Sequence, residues 1–122
     1  MYELKVVTQF AAAHSLRNFH GKCENLHGHN WKVEIYVVSD ELDRTEIVMD
    51  FGELKTMAKE VLDALDHKHL NELEFFKVNN PSSENIARFI YEGIASRVDR
   101  PAVSVSRVSV WESDTSRATY IP

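Results

Sequence analysis

Near the N-terminus, two long stretches of alternating apolar and polar residues lie on either side of one polar segment, residues 15–25. An alternation of period two places every second side chain on the same face of a β-strand. The first stretch predicts a half-buried strand from Tyr2 to His14, and the second predicts a strand whose apolar face runs from Trp31 to Val37. We expect the two strands to pair as an antiparallel hairpin, and a long connecting loop of this kind often carries functional residues.

The rest of the chain predicts two helices followed by two strands. Asp50 and Glu53 have the spacing of a capping box, and apolar residues then recur at helical spacing until near Asp66. A second helix is expected to open at residues 81–84, where serines provide the caps. Alternation returns near the C-terminus, and a change of face near Arg107 predicts a β-bulge before a turn and a last strand.

The predicted order of elements is ββααββ. This order favours an α+β fold, a four-stranded antiparallel sheet with two helices packed on one face. Residues 1–122 fit a single domain, because domains most often contain ~100–150 residues. The two edge strands of such a sheet are an aggregation hazard unless they are covered or paired. We therefore expect a homo-oligomer in which the sheets join into a closed barrel.

The composition excludes several classes of protein and partner. The net charge is −5, from 14 basic and 19 acidic residues, so no nucleic-acid partner is expected. No apolar run reaches the ~20 residues of a membrane helix, and no basic region followed by an apolar block begins the chain. We expect no membrane partner and a cytoplasmic location. One cysteine cannot form an internal disulfide, so six histidines and one thiol are the unusual part of the composition.

Three of the histidines are predicted to share one face of the hairpin. The spacing of His27 and His29 points both imidazoles to the same side of their strand, and the alternation brings His14 to that face from the other strand. Three neutral imidazoles that converge suit Zn²⁺ with a fourth position open, as in catalytic zinc sites. The alternative is that each histidine is an ordinary core or surface residue, since a lone His-x-His pair often occurs by chance. The shared face of three independent positions favours a metal site.

Two further places carry side chains suited to proton transfer. Cys23 lies in a polar loop four residues before His27, where a nearby cation would stabilise a thiolate that acts as nucleophile or general base. The alternative is a small buried residue, the usual role of a free cysteine. Asp66 and His67 follow the first helix, and the carboxylate could orient the imidazole. The alternative there is a helix-terminal histidine with no such task.

Glu112 breaks the apolar pattern of its strand. The alternation places its carboxylate on the same face as Val108 and Val110. A buried carboxylate needs hydrogen-bond partners, and a ligand with several N–H groups could supply them. Alternatively, the strand has already ended and Glu112 is solvated.

Six motifs occur in order over nearly the whole chain: FAAAH at 10–14, CENLHGH at 23–29, VMDFG at 48–52, LDHK at 65–68, PSSEN at 81–85 and VWE at 110–112. Together they resemble those of the 6-pyruvoyl-tetrahydropterin synthase family. The three residues between Cys23 and His27 resemble the 6-carboxy-5,6,7,8-tetrahydropterin synthase branch, which belongs to queuosine (7-deazapurine) biosynthesis; the pyruvoyl branch typically has a longer spacer. Ser82 departs from the threonine that is common in relatives, but the hydroxyl is kept.

The resemblance implies a fold, an assembly and a set of site residues. The fold is a T-fold, in which subunits join their sheets into trimeric barrels that often pair as hexamers, with each site lying between subunits. Roles are implied for the zinc ligands His14, His27 and His29, for the catalytic residues Cys23, Asp66, His67 and Glu112, and for the substrate-binding residues Glu112, Ser82 and Ser83. In this assignment Cys23 and His67 move protons, and Glu112 accepts the N–H groups of a pterin ring.

The implied reaction is that of a zinc-dependent lyase. Its substrate is 7,8-dihydroneopterin triphosphate, and its products are 6-carboxy-5,6,7,8-tetrahydropterin, acetaldehyde and triphosphate. Candidate cations for the triphosphate are Arg17, Lys22 and Lys68. One alternative is the pyruvoyl synthase reaction, which eliminates triphosphate and keeps the carbon side chain. Another is a non-catalytic zinc- or pterin-binding protein of the same fold, although such a protein would not need all of the proton-transfer residues.

Overall fold

The computed structural model describes all 122 residues, and it has the predicted α+β architecture. In chain order the elements are β1 (Tyr2–His14), β2 (His27–Ser39), α1 (Phe51–Leu62), β3 (Lys68–His69), α2 (Glu74–Val78), α3 (Ser83–Ala95), β4 (Ser104–Ser113) and β5 (Ser116–Tyr120). The strands form one sheet in the order β3-β1-β2-β4-β5. The four long strands pair antiparallel, so the hairpin and the fold class are confirmed.

The structure corrects the predicted number of elements. The sheet has five strands, because the two-residue β3 pairs in parallel with Ala12 and Ala13 of β1. A third helix, α2, has five residues and follows a 3-10 turn at Leu70–Glu72. Elements this short contain too few residues to show a strand or helix period. Helix α1 ends at Leu62, before the predicted end near Asp66, and the chain continues as turns.

The apolar face of the sheet packs against α1 and α3 to form the core. The fully buried residues of β2 alternate along the strand as predicted: Trp31, Val33, Ile35 and Val37. The buried residues of α3 recur at helical spacing: Ile86, Ala87, Ile90 and Ile94. Gly93 allows the two helices to approach, because a Cβ atom at this position would lie 2.9 Å from Cγ1 of Val61. None of the helices has the length and apolar character needed to cross a lipid bilayer.

Two irregularities interrupt the pairing of β4. Tyr36 pairs with Arg107 but Val37 pairs with Val105, so Ser106 is an extra residue and the predicted bulge near Arg107 is confirmed. A second shift, between β4 and β5, leaves Glu112 as the extra residue. Because a bulge re-aims the side chain of the extra residue, the strand pairing sets the direction of the Glu112 carboxylate.

The face of the sheet opposite the core holds a buried carboxylate. Glu34 of β2 accepts hydrogen bonds from Nζ of Lys5, at 3.2 Å, and from Nε1 of Trp111. Its side chain is only 8% exposed. All of these partners belong to the same sheet, so the charge of Glu34 is satisfied within the chain.

Candidate functional site

The strand pairing of β1 and β2 brings three histidines together. His14 and His27 are direct partners in the register, and His29 lies opposite Ala12 on the same face. The ring centroid of His14 lies 4.7 Å from that of His27 and 5.4 Å from that of His29. The structure therefore brings the three predicted metal ligands together, on regular strands.

Backbone carbonyls orient two of the three imidazoles. Nδ1 of His14 lies 2.6 Å from the carbonyl oxygen of Pro81, and Nδ1 of His27 lies 2.8 Å from that of Asn25. Because a carbonyl only accepts, each Nδ1 carries a proton, and in the neutral form of each ring Nε2 keeps its lone pair. The two Nε2 atoms lie 3.1 Å apart. Two lone pairs that face each other at this distance do not form a hydrogen bond, whereas a cation would satisfy both.

The third imidazole completes a set of donors for a metal ion. Nε2 of His29 is buried and makes no hydrogen bond of acceptable geometry, although Oε1 of Glu112 lies 3.1 Å away. The four potential ligand atoms of His14, His27, His29 and Glu112 lie within 4.8 Å of one another. Burial lowers the pKa of His14 below 6.5, which favours the neutral form that binds metals. The cluster can thus hold a metal ion.

Glu112 also connects the cluster to the start of α3. Its Oε2 accepts a hydrogen bond from Oγ of Ser83 at 3.2 Å, and its side chain is 40% exposed. The residue lies within β4 and is neither fully buried nor past the end of the strand. Ser82 has a different contact, because its Oγ accepts the N–H of Asn85 at 3.2 Å and caps α3. Ser83 is therefore the one serine of the pair that contacts Glu112.

Of the predicted proton-transfer residues, Asp66 and His67 form a pair, and Cys23 lies apart from them. Oδ2 of Asp66 lies 3.0 Å from Nδ1 of His67, and Oδ1 accepts the N–H of Ala11 at 2.9 Å. The hydrogen bond from Ala11 is the main cause that lowers the pKa of Asp66; burial opposes it, and His67 adds to it. Cys23 is exposed on the 15–26 loop, and no hydrogen bond joins its thiol to the other site residues.

A groove of about 550 Å³ is lined at one side by His29 of the cluster and at another by His67. Its walls are residues 11–13 of β1, 28–30 of β2 and 67–69 around β3. The side chain of His67 is 81% exposed, and its φ of 58° is a left-handed conformation that is uncommon outside glycine. Asn18, His20 and Glu46 have similar left-handed φ values, so the backbone of His67 matches that of other residues in turns and loops.

Sequence reasoning missed the backbone groups of this site. The carbonyls of Pro81 and Asn25, which orient the imidazoles, have no side-chain signature, and β3 is too short to show a pattern. The fold also gives Arg17, one candidate cation for the triphosphate, partners within the chain. Nη2 of Arg17 donates to the carbonyls of Phe76 and Asn79, at 2.6 and 3.2 Å. Arg17, Lys22 and Lys68 all stay candidates.

Fold and site together define the chain as an α+β protein with a cluster that can hold a metal ion and with ionisable side chains near a groove. Its family is also clear: the chain belongs to the 6-pyruvoyl tetrahydropterin synthase family, whose model matches residues 3–122. It is therefore an enzyme of the pterin-synthase type, a lyase. The family assignment confirms the resemblance expected from the six motifs.

Known relatives carry several names. A putative 6-carboxy-5,6,7,8-tetrahydropterin synthase of Archaeoglobus fulgidus is 38% identical over 89% of this chain and 86% of its own length. Several other relatives, at 30–38% identity, are also named 6-carboxy-5,6,7,8-tetrahydropterin synthase. A dihydroneopterin monophosphate aldolase of Pyrococcus furiosus is 37% identical over 86% of this chain and 84% of its own length. The solved structure of the 6-pyruvoyl tetrahydropterin synthase of Caenorhabditis elegans superposes with a TM-score of 0.85 at 28% identity, covering 99% of this chain and 95% of that one.

Proposed function

We propose that this protein is a 6-carboxy-5,6,7,8-tetrahydropterin synthase. It would convert 7,8-dihydroneopterin triphosphate and one water molecule into 6-carboxy-5,6,7,8-tetrahydropterin, acetaldehyde and triphosphate, as a step of queuosine biosynthesis in the cytoplasm. The observation that carries the proposal is the short spacer of three residues between Cys23 and His27. The relatives that share this name support the same assignment.

The proposed metal is zinc, bound by His14, His27 and His29. Three imidazole nitrogens that converge on one point match the ligand set of catalytic zinc sites, which leave one position for water or substrate. Zinc in this position would act as a Lewis acid and make the side-chain hydroxyls of the substrate easier to deprotonate. The backbone carbonyls that hold His14 and His27 would keep both Nε2 atoms directed at the metal.

The chain's own residues would bind the pterin and move the protons. Glu112, already held by the hydroxyl of Ser83, would accept N–H groups of the pterin ring, and Ser82 would line the same pocket. Cys23, as a thiolate, would move protons on the carbons next to the ring. His67 would be the partner acid or base, with its Nδ1 proton held by Asp66 and its Nε2 directed at the substrate.

We further propose that each complete site lies between two subunits. Cys23 and the 81%-exposed His67 are open to solvent in the single chain, although proton transfer is favoured in a site that excludes water. The sheet also has free edges: β5 has no outer neighbour, and β3 covers only Ala12 and Ala13 of β1. A trimeric barrel, paired into a hexamer, would close these edges. A stable monomer in analytical ultracentrifugation at micromolar concentration would contradict this assembly.

Subunit mixing tests the shared site directly. Cys23→Ala and His67→Ala subunits are each expected to form inactive oligomers. If the two residues belong to different subunits of one site, unfolding and refolding the two variants together will restore turnover at hybrid sites. Refolding each variant alone is the control. Mixed oligomers that stay inactive would place Cys23 and His67 in the same subunit.

Product identification tests the reaction. Purified protein loaded with zinc is incubated with 7,8-dihydroneopterin triphosphate, and acetaldehyde, triphosphate and the pterin are quantified. Equal amounts of acetaldehyde and triphosphate are expected. Triphosphate without acetaldehyde would instead indicate the pyruvoyl synthase reaction, and binding of zinc or pterin without turnover would indicate a non-catalytic protein.

The Pyrococcus relative makes aldol cleavage a second candidate. Its identity to this chain is nearly that of the Archaeoglobus relative, although its name is that of an aldolase. Retro-aldol cleavage between the first two side-chain carbons would release a phosphorylated two-carbon hydroxyaldehyde and a 6-hydroxymethyl-7,8-dihydropterin. The same assay detects both products, with the monophosphate tested as a second substrate. Their appearance in place of acetaldehyde would replace the proposed function.

A further inference from the structure

Two asparagine side chains bind the backbone that follows β1 in the manner of a neighbouring strand. Nδ2 of Asn71 donates to the carbonyl of Ser15 at 2.7 Å, and its Oδ1 accepts the N–H of Ser15 at 2.9 Å. Asn80 makes the same pair of hydrogen bonds to Arg17, both at 2.9 Å. Each amide thus satisfies both backbone groups of one residue, as a paired strand would.

The residue between these two is tied to the loop that carries the thiol. The N–H of Glu24 donates to the carbonyl of Leu16 at 2.8 Å, and Oε1 of Glu24 accepts the N–H of Leu16 at 3.2 Å. Residues 15–17 are therefore hydrogen-bonded to the asparagines through Ser15 and Arg17 and to Glu24 through Leu16. Because Glu24 directly follows Cys23, the 15–17 segment anchors the part of the loop that bears the thiol.

The chain around Asn80 also contacts the histidine cluster. Pro81, the residue after Asn80, accepts the Nδ1 proton of His14 at 2.6 Å. The carbonyl of Asn80 accepts hydrogen bonds from the N–H of Ser82 and from Nδ2 of Asn85, at 2.8 and 2.9 Å. One short stretch of chain before α3 thus orients a predicted metal ligand and anchors residues 15–17.

We propose that Asn71 and Asn80 are positioning residues that fix the Cys23 thiol relative to the metal centre. The importance of that thiol rests on the proposed function, whereas the loop anchoring does not. A loop with few apolar contacts opens easily unless its backbone is held, and a reacting group misplaced by ~1 Å can cost ~10²-fold in rate. The asparagines act through the 15–17 segment and do not touch the substrate.

The test compares Asn71→Ala and Asn80→Ala with Asn79→Ala. Asn79 is a matched control, since its Nδ2 also donates to a backbone carbonyl, that of Phe75 at 3.0 Å, and its side chain makes no hydrogen bond to residues 15–17. Four quantities are measured on each protein: kcat and KM, zinc content, the rate at which iodoacetamide alkylates Cys23 across pH, and the rate of trypsin cleavage after Lys22.

Asn71→Ala and Asn80→Ala are expected to lose ~10–10²-fold in kcat with KM nearly unchanged and zinc retained. Cys23 should be alkylated with a different rate and pH profile, and trypsin should cleave after Lys22 faster, while Asn79→Ala behaves as the wild type. Equal kcat losses in all three variants, or unchanged alkylation of Cys23, would overturn the proposal.

A second variant covers the case in which Asn80→Ala does not fold. Asn80→Asp keeps an oxygen that accepts the N–H of Arg17 and replaces the donor to its carbonyl with a second carboxylate oxygen. The same changes are expected with smaller size, and their absence would also overturn the proposal. If the wild-type protein makes none of the expected products, the proposed function fails, but alkylation and proteolysis still decide whether Asn71 and Asn80 position the thiol.

Discussion

The metal cluster and the proton-transfer groups differ in how firmly one chain holds them. His14 is 2% exposed, and His14 and His27 each have a backbone carbonyl that fixes the ring. Cys23 and His67 lie on a loop and a turn, and both are exposed. The ligand set is therefore preorganised by strand pairing within one chain. The acid–base set depends on local anchors and, in our proposal, on a neighbouring subunit.

The largest expected effect on turnover is that of His27→Ala, which tests whether the histidine cluster holds the metal. Loss of one of three imidazoles should abolish stable zinc binding, measured by elemental analysis after gel filtration. Turnover should fall by ~10³-fold or more, because Lewis-acid stabilisation is worth several kcal/mol and each ~1.4 kcal/mol is tenfold.

His20→Ala is the matched control for that variant, since His20 lies in the 15–26 loop outside the cluster. It should retain zinc at the wild-type ratio. Full zinc content in His27→Ala would refute the assigned ligand set.

Cys23→Ala should lower turnover without changing the metal site. General acid–base groups contribute ~10²–10⁴-fold, so turnover should fall by that factor. Zinc should stay at the wild-type level, because the thiol is not part of the cluster. Unchanged turnover would refute the role of Cys23 as a base. Loss of zinc would show that the histidine cluster depends on the thiol.

Asp66→Asn should have a smaller effect. The amide keeps an oxygen for the N–H of Ala11 but replaces the carboxylate oxygen that lies 3.0 Å from Nδ1 of His67. Turnover should fall by ~10–10²-fold, since the wrong ring tautomer and an unsupported imidazolium both become more common. Stopped-flow or steady-state assays with constant zinc content measure the loss. A variant as active as the wild type would show that Asp66 serves the fold alone.

The same contrast explains what the sequence could predict. The histidine cluster was predictable because alternation over thirteen-residue strands fixes which side chains share a face. The helix cap at Ser82 and the bulge at Ser106 were also visible, since each has a local residue signature. Strand β3 and helix α2 were not, because two and five residues carry no period.

Other features were missed because they depend on hydrogen bonds between residues far apart in sequence. The amides of Asn71 and Asn80 reach backbone groups more than fifty residues away in sequence, and nothing near either residue indicates this. The two carbonyls that accept hydrogen bonds from Nη2 of Arg17 lie about sixty residues away in sequence and were equally invisible. Pairing over long separations depends on tertiary packing, which a single sequence does not display.

The smallest expected effect concerns Glu34, a buried carboxylate whose partners all lie in this chain. Burial on its own would raise the pKa of Glu34, but the hydrogen bonds from Trp111 and Lys5 outweigh it and hold the pKa below 4.5. The folded state therefore binds the proton less readily than the unfolded state does. The contribution of ionised Glu34 to stability is complete above pH 4.5 and is lost as the pH falls through its lower folded pKa.

Glu34→Gln should lower the free energy of unfolding by ~1–2 kcal/mol at pH 7, because the hydrogen bonds to a charged acceptor are weakened. In urea denaturation, the difference from the wild type should narrow as the pH is lowered below 4.5. Turnover and zinc content at pH 7 should not change, since Glu34 lies on the face of the sheet opposite the core and outside the metal cluster. A difference that stays constant with pH would mean that the charge of Glu34 does not stabilise the sheet. A loss of zinc would mean that the two faces of the sheet are coupled. The geometry of the histidine cluster would then depend on more than the pairing of β1 and β2.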